Sequence, residues 1–277
     1  MRRLAAIARD RMTRIHATAV VAPGARIAED VEIGPYCCVA PEVEIEAGSV
    51  LVANVVIEGR TRIGGGSRIH PFVSLGQPPQ YVGFKGKPSG LDLGPNSIVR
   101  EYVTMNAGTN AEGTPTRVEG NGLFLPGAHV GHDCRIGHDV VMASRATLAG
   151  HVTIGSYAVI GSQSAIHQYC RIGKHARVGN STAVGKDIVP FAIAAGNRAR
   201  LRGLNVASLR QQNFPLGDIR ALRDAYREIF LGQGSYTERL YAVAERFRGV
   251  PVVMELIDFI TADKNRPICT VTADTDE

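Results

Sequence analysis

The chain of 277 residues contains no tryptophan, and only 6% of its residues are aromatic. So little bulky side-chain volume points to a thin interior, not a thick globular core. No stretch of 18 apolar residues occurs, so no membrane-spanning helix is expected. The five cysteines show neither the spacing of a metal site nor a disulfide framework, which fits a reducing cytoplasm. The stretch from Met1 to Met12 is basic, but Arg9, Asp10 and Arg11 break any apolar run, and a secretory signal is not expected there. A net charge of +5 is modest, and no basic stripe is interleaved with aromatics. Nucleic acid is therefore a poor fit, and an anionic substrate or acidic partner a better one.

What the chain does have is a six-residue rhythm. Stepping by six from Ile15 gives Val21, Ile27, Ile33, Val39, Ile45, Leu51, Ile57, Ile63, Ile69 and Leu75. The phase returns at Leu93, Val99 and Met105. It then runs from Val118 through Phe124, Val130, Ile136, Met142, Leu148, Ile154, Ile160, Ile166, Ile172 and Val178 to Val184. No helix has this period and a lone strand alternates every two residues, so the pattern predicts a β-helix solenoid. Three hexads make one coil of about 18 residues. The first position of each hexad faces inward. The fifth is small enough to share the interior, which places Cys37, Cys134 and Cys170 in the core as small apolar residues.

The rhythm spans 15–196. Segments 77–90 and 107–117 leave it and read as protruding loops, the usual carriers of function on a rigid scaffold. Residues 197–265 turn helical in pattern. Ile219, Leu222, Tyr226, Ile229 and Phe230 form one apolar face between Pro215 and Gly232. Leu240, Val243, Ala244 and Phe247 form a second, and Val253, Leu256, Ile257 and Ile260 a third. Such a segment would cap the exposed last coil. The polar tail 266–277 is expected to be disordered.

All eight histidines lie within the repeat and none takes an inward position, so none is expected in the core. Used as a ruler, the coil length carries His132 to Gly150, beside His151, and then to Gln168, beside His167. His129 lies three residues before His132. A patch of this kind supports two chemistries. Three neutral imidazoles can converge on a metal ion with an open position, as in the zinc hydratases built on this repeat. Alternatively, one histidine acts as general base. Asp133, directly after His132, would fix the ring tautomer and stabilise the imidazolium. Gly150 would offer an unhindered N–H to a developing oxyanion.

The hexads resemble those of left-handed parallel β-helix proteins. The segment Gly127-Ala128-His129-Val130-Gly131-His132-Asp133-Cys134 is similar to the active-site motif of the bacterial UDP-N-acetylglucosamine O-acyltransferases, which begin lipid A synthesis. Blocks 99–109, Leu148-Ala149-Gly150-His151, Ile166-His167-Gln168-Tyr169-Cys170, Ala195-Gly196-Asn197 and Gly203-Leu204-Asn205 agree in order and spacing. The resemblance implies a left-handed β-helix with a C-terminal helical domain, assembled as a homotrimer with active sites between subunits. It implies transfer of a 3-hydroxyacyl group from acyl carrier protein to the 3-hydroxyl of the nucleotide sugar, without metal or diffusible cofactor. On this basis His132 is the general base, Asp133 orients it and Gly150 holds the oxyanion. His129, His151, His167, Gln168 and Gln80 line the substrate site, and Asn205 and Gln211 stand at nucleotide-side positions. Asn180 falls where acyl-chain length is set. Arg198, Arg200, Arg202, Arg210, Arg220, Arg223 and Arg227 would meet the acidic carrier protein.

The chain also departs from the family pattern. Where the protruding loop usually reads Gln-Asp-Leu-Lys, this chain has Gln80-Tyr81-Val82-Gly83, with Lys85 and Lys87 nearby. A Glu and an Arg after the Asn205 position are replaced by Ala207 and Gln211. Two alternatives follow: a paralogue acting on a different sugar acceptor, or another hexapeptide-repeat enzyme such as a coenzyme A-dependent sugar acetyltransferase.

Overall fold

The structure, a computed structural model, describes residues 12–86, 89–109, 114–263 and 266–271. Met1 to Arg11, Lys87 and 272–277 lie outside these residues. From Arg14 to Ala195 the chain winds through short strands, each coil adding one strand to each of three flat faces. The first face stacks from Arg14–Ile15 to Ala192–Ala195, the second from Val20–Val21 to Ala183–Val184, and the third from Arg26–Ile27 to Arg171–Ile172. Successive coils pair in parallel. Glu32 meets Val50 on the first face, Cys38 meets Val56 on the second and Arg26 meets Glu44 on the third. The hexad-leading residues Ile33, Ile45, Leu51, Ile57, Leu148 and Ile160 are buried, as are Cys37, Cys134 and Cys170 at the fifth position. Each such aliphatic side chain contributes about 2 kcal/mol of burial, and stacking makes the core continuous along the solenoid.

The corners follow a rule that the spacing alone does not reveal. The fourth residue of the hexad turns the corner in the left-handed region, although it is seldom glycine: φ is 58° at Tyr36, 58° at Asp133, 61° at His151 and 64° at Tyr169. Such a conformation costs a non-glycine residue about 1 kcal/mol or more. In return it stacks the corner side chains of neighbouring coils. Phe72 lies on Tyr102, His151 on Tyr169 and Tyr157 on His175, with ring planes within 8° of parallel.

Both insertions leave the second face and rejoin at the third, so they emerge at the same corner. The first lies between strands Ser74–Gln77 and Leu91–Leu93, the second between Thr104–Asn106 and Thr116–Val118. Thr116 to Val118 thus form a strand of the third face and are not part of the protruding loop expected to reach 117. The two insertions are joined at their bases: Ala107 N–H donates to Gln77 O, Ser89 N–H to Gly108 O and Gly108 N–H to Gly90 O.

The helical part begins later than residue 197. Arg200–Leu204 first returns antiparallel along Ala192–Ala195 and ends the first face. Four helices follow: α1 (Val206–Gln211), α2 (Leu216–Leu231), α3 (Tyr236–Arg246) and α4 (Pro251–Thr261). Asn205 caps α1, accepting from Ser208 N–H, and Ser235 with Glu238 forms a capping box on α3. Pro215 and Gly232 bound α2 as the sequence suggests. The expected disorder of the tail is not seen over 266–271. Arg266 pairs with Asp187 at 3.2 Å, Asp187 N–H donates to Pro267 O and Cys269 N–H to Asp187 O, and Cys269 is buried. Burying the Asp187 carboxylate requires cationic partners, and Arg171 supplies one at Oδ2 and Arg266 the other at Oδ1. None of the helices among the described residues is long and apolar enough to cross a membrane.

Candidate active site

The corner between the second and third faces brings Asp133, His151 and Tyr169 into one ladder, with His132 beside Asp133. Asp133 Oδ2 accepts from His132 Nδ1 at 2.8 Å, which leaves Nε2 as the basic nitrogen of the ring. The His132 ring meets His151 edge-on at 5.0 Å, and His151 stacks on Tyr169 at 4.6 Å. Gly150 is glycine for a local reason. A Cβ there would lie 2.5 Å from His132 Nε2 and 2.3 Å from Cε1, so the imidazole packs directly over the Gly150 backbone. Gly150 N–H meets no acceptor among the described residues.

The second insertion reaches back onto Asp133. Thr109 donates twice, from its hydroxyl to Oδ2 at 2.6 Å and from its N–H to Oδ1 at 2.9 Å. Asp133 N–H donates to the buried Thr116 hydroxyl. Burial alone would raise the Asp133 carboxyl. The Thr109 hydroxyl, the His132 ring, the Thr109 N–H and the charge of His151 outweigh it and hold the group below the usual carboxylate range. His151 is pushed down by burial, against the opposing pull of Asp133, and His129 is pushed down mainly by burial. Thr109, Thr116 and Tyr169 were not singled out from sequence. Thr109 and Tyr169 lie within motif blocks, but nothing in the spacing shows that they touch the dyad.

The remaining expected site residues fall at several places. His129 sits on the second face with Nδ1 2.7 Å from the Thr104 hydroxyl. His167 and Gln168 belong to the next coil and are exposed. His167 Nδ1 faces the Gln168 carbonyl, and the ring beside His151 is Tyr169. Gln80 is exposed on the first insertion, where Tyr81 places its ring 6.1 Å from that of His132. Asn180 is on the corner between the first and second faces, its Oδ1 accepting from Ser162 N–H. Asn205 is on the third corner. It is buried, with Nδ2 donating to His175 O and Oδ1 accepting from Ser208 N–H, while Gln211 is exposed at the end of α1. His175 departs from the expectation that no histidine is in the core. It points away from the coil, but Ser208 and Phe214 cover it, and it is 2% exposed.

His132, Asp133 and His151 also lie close enough for their ligand atoms to share an ion. The donor set fits one poorly. His132 Nδ1 and Asp133 Oδ2 already bond to each other, and both Asp133 oxygens accept from Thr109. A metal on Asp133 would have to compete with these bonds.

Fold and site together define a hexapeptide-repeat β-helix protein with a bonded histidine–aspartate pair at one corner, held by the second insertion. Residues 187–269 match the family model described as Udp N-acetylglucosamine O-acyltransferase, Domain 2. An acyl-[acyl-carrier-protein]–UDP-N-acetylglucosamine O-acyltransferase of Rickettsia prowazekii is 51% identical over 93% of this chain and 97% of its own. That of Azorhizobium caulinodans is 52% identical over 92% and 94%. Among solved structures, the UDP-N-acetylglucosamine O-acyltransferase of Moraxella catarrhalis superposes with a TM-score of 0.88 at 35% identity, over 92% of this chain and 98% of that one. The Campylobacter jejuni enzyme superposes with 0.87 at 33%, over 94% and 100%. This chain belongs to the UDP-N-acetylglucosamine O-acyltransferase family, and its solenoid is the left-handed β-helix of that family.

Proposed function

We propose that this protein moves a 3-hydroxyacyl group from the thioester of acyl carrier protein to the 3-hydroxyl of UDP-N-acetylglucosamine, entering lipid A synthesis. The observation that carries the mechanism is the His132–Asp133 hydrogen bond, which leaves Nε2 as the base beside the free Gly150 N–H. Nε2 takes the proton of the sugar hydroxyl, and the oxygen attacks the thioester carbonyl. Gly150 N–H donates to the oxyanion, a contact worth about 3 kcal/mol. The C–S bond then breaks. The His132 imidazolium, stabilised by Asp133, returns its proton to the leaving thiolate, giving the ester and the free thiol of the carrier. No step needs a metal or cofactor, so activity should survive exhaustive chelation; one tightly bound zinc per site, required for turnover, would overturn this.

Substrate placement draws on all three corners. Outward side chains on the second face between the dyad and Asn180 include Thr147, Ala165 and Ala183. These small residues leave a shallow path for an acyl chain, with Asn180 at its far edge as the length stop. His129, His151, His167, Gln168 and Gln80 border the sugar and the thioester. Gln211 is on a different corner from His132, so a neighbouring copy in a homotrimer brings it to the nucleotide, with Asn205 holding α1 in place. Arg220, Arg223 and Arg227 are exposed along α2 and offer a cationic face to the carrier protein. A cytoplasmic setting belongs to this reading, since the carrier is the donor and all five cysteines are free.

The changes at Tyr81, Gly83, Ala207 and Gln211 favour one further reading, the same transfer to a different sugar. A panel decides between the two: 3-hydroxyacyl carriers of several lengths against UDP-N-acetylglucosamine, its 3-amino analogue and other nucleotide sugars. Turnover with UDP-N-acetylglucosamine is expected. Failure with that sugar alongside turnover of another assigns the paralogue, and failure with all refutes the transferase.

A further inference from the structure

We infer that Tyr81 is a specificity-determining residue of this enzyme, its ring forming the aromatic wall against which the acceptor sugar packs beside His132. The inference rests on the transferase reading above.

Tyr81 is the most exposed of the rings around the dyad, at 58%. Its centroid lies 6.1 Å from His132, inclined at 43°. The ring therefore does not stack on His132 but stands open beside it, leaving a face for another group. The arm that carries it is anchored. Phe84 N–H donates to Tyr81 O at 2.9 Å, closing a turn over 81–84, and the Asn106 amide donates to Pro78 O at 2.9 Å at its root. The other insertion is bonded to the same root. These bonds fix the backbone from which the ring projects.

The two departures within this loop are a matched pair. A Cβ on residue 83 would lie 2.8 Å from Cε1, Cζ and the hydroxyl of Tyr81. Gly83 is thus the seat of the Tyr81 ring, and no side chain at 83 is compatible with this placement. An aromatic face packs on the C–H face of a pyranose, and the phenol offers a neutral hydroxyl as hydrogen-bond partner. This class of contact tolerates variation in the charge of the sugar substituents while still demanding an apolar C–H face.

The test is a double-mutant cycle in the intact enzyme, read as separate KM and kcat for UDP-N-acetylglucosamine. Tyr81→Ala should raise acceptor KM about five- to tenfold, the scale of one lost aromatic contact, with kcat and the KM of the acyl carrier within twofold. Tyr81→Phe should restore most of the acceptor KM. Gly83→Ala should raise acceptor KM by displacing the ring, and should add nothing in the Tyr81→Ala background. Additive effects of the two substitutions, an unchanged KM in Tyr81→Ala, or a loss confined to kcat would each overturn the inference while leaving the transferase reading intact. A wild-type enzyme inactive on UDP-N-acetylglucosamine would overturn that reading, and the inference with it.

Discussion

Two histidine–aspartate pairs sit six residues apart on adjacent corners of the same coil. His132 bonds to Asp133 at 2.8 Å and His138 to Asp139 at 2.7 Å, and each aspartate occupies the left-handed corner position. Each starts a ladder of rings: His151 and Tyr169 above the first, Tyr157, His175 and Phe191 above the second. Their surroundings differ. The first pair is 14% and 12% exposed and the second 44% and 38%. Asp133 takes two further bonds from Thr109, while His138 is half-exposed and meets the Tyr157 ring at 83°. The repeat produces the dyad twice. What sets one of them apart is the pair of insertions, which leave at the first corner and not at the second. A surface ion pair of the second kind contributes about 0–1 kcal/mol. The buried, oriented pair can poise a base.

The sharpest way to break this comparison is to remove each imidazole in turn. His132→Ala should lower kcat about 10²-fold or more, the usual range for a lost general base, with the helical fold unchanged by circular dichroism. His138→Ala should leave turnover within about twofold. Steady-state assays with carrier-bound donor measure both. Equal losses would show that the insertions do not distinguish the corners.

The second ladder carries its own consequence, in stability. Burial, with Lys174 and His138 adding to it, pushes His175 down to about 4. An unfolded histidine titrates near 6.5. Between these values the unfolded chain binds a proton that the folded one excludes, so stability falls as pH drops from about 6.5 towards 4. The full loss is about 3 kcal/mol at 1.36 kcal/mol per pH unit. His175→Phe keeps a ring between Tyr157 and Phe191 and removes the titration. Urea midpoints from pH 7 to pH 4 should decline less steeply in the variant, and parallel slopes would refute the assignment.

The repeat period made much of this legible, and its limits are specific. Counting coils located His132 and His151 near one another and buried Cys37, Cys134 and Cys170, because a parallel register conserves position from coil to coil. Counting could not aim side chains. His167 lies on the expected coil, yet Tyr169 takes the place against His151, because the fourth hexad residue turns the corner with positive φ and stacks. His175 is outward by the rule but buried, because the segment after the solenoid folds over it. The tail 266–271 read as polar, and its order depends on Asp187, a carboxylate whose burial requires the arginine that the tail brings. Positions set by the repeat were readable. The aim of the corner side chains and the contacts made by chain outside the repeat were not.

Thr109 is the smallest and most discriminating case. It is the link by which an insertion distinguishes Asp133 from Asp139, and it supplies two of the donors on that carboxylate. Thr109→Val removes the hydroxyl bond to Oδ2 and keeps the N–H bond to Oδ1, so the loop should stay in place. One hydrogen bond to a charged group is worth about 1.5–3 kcal/mol. Part of that loss is recovered, because Asp133 Oδ2 also accepts from His132 and can lean further on it. The expected result is a fall in kcat of about three- to tenfold. Asp133, held lower by this bond, should rise towards its ordinary value, which a pH titration of the carboxyl carbon-13 resonance in the wild type and the variant measures directly. Thr109→Ser should behave as wild type. A fall in kcat with no rise in the Asp133 titration would mean that Thr109 supports the loop and not the charge, and the contrast between the two corners would then rest on burial alone.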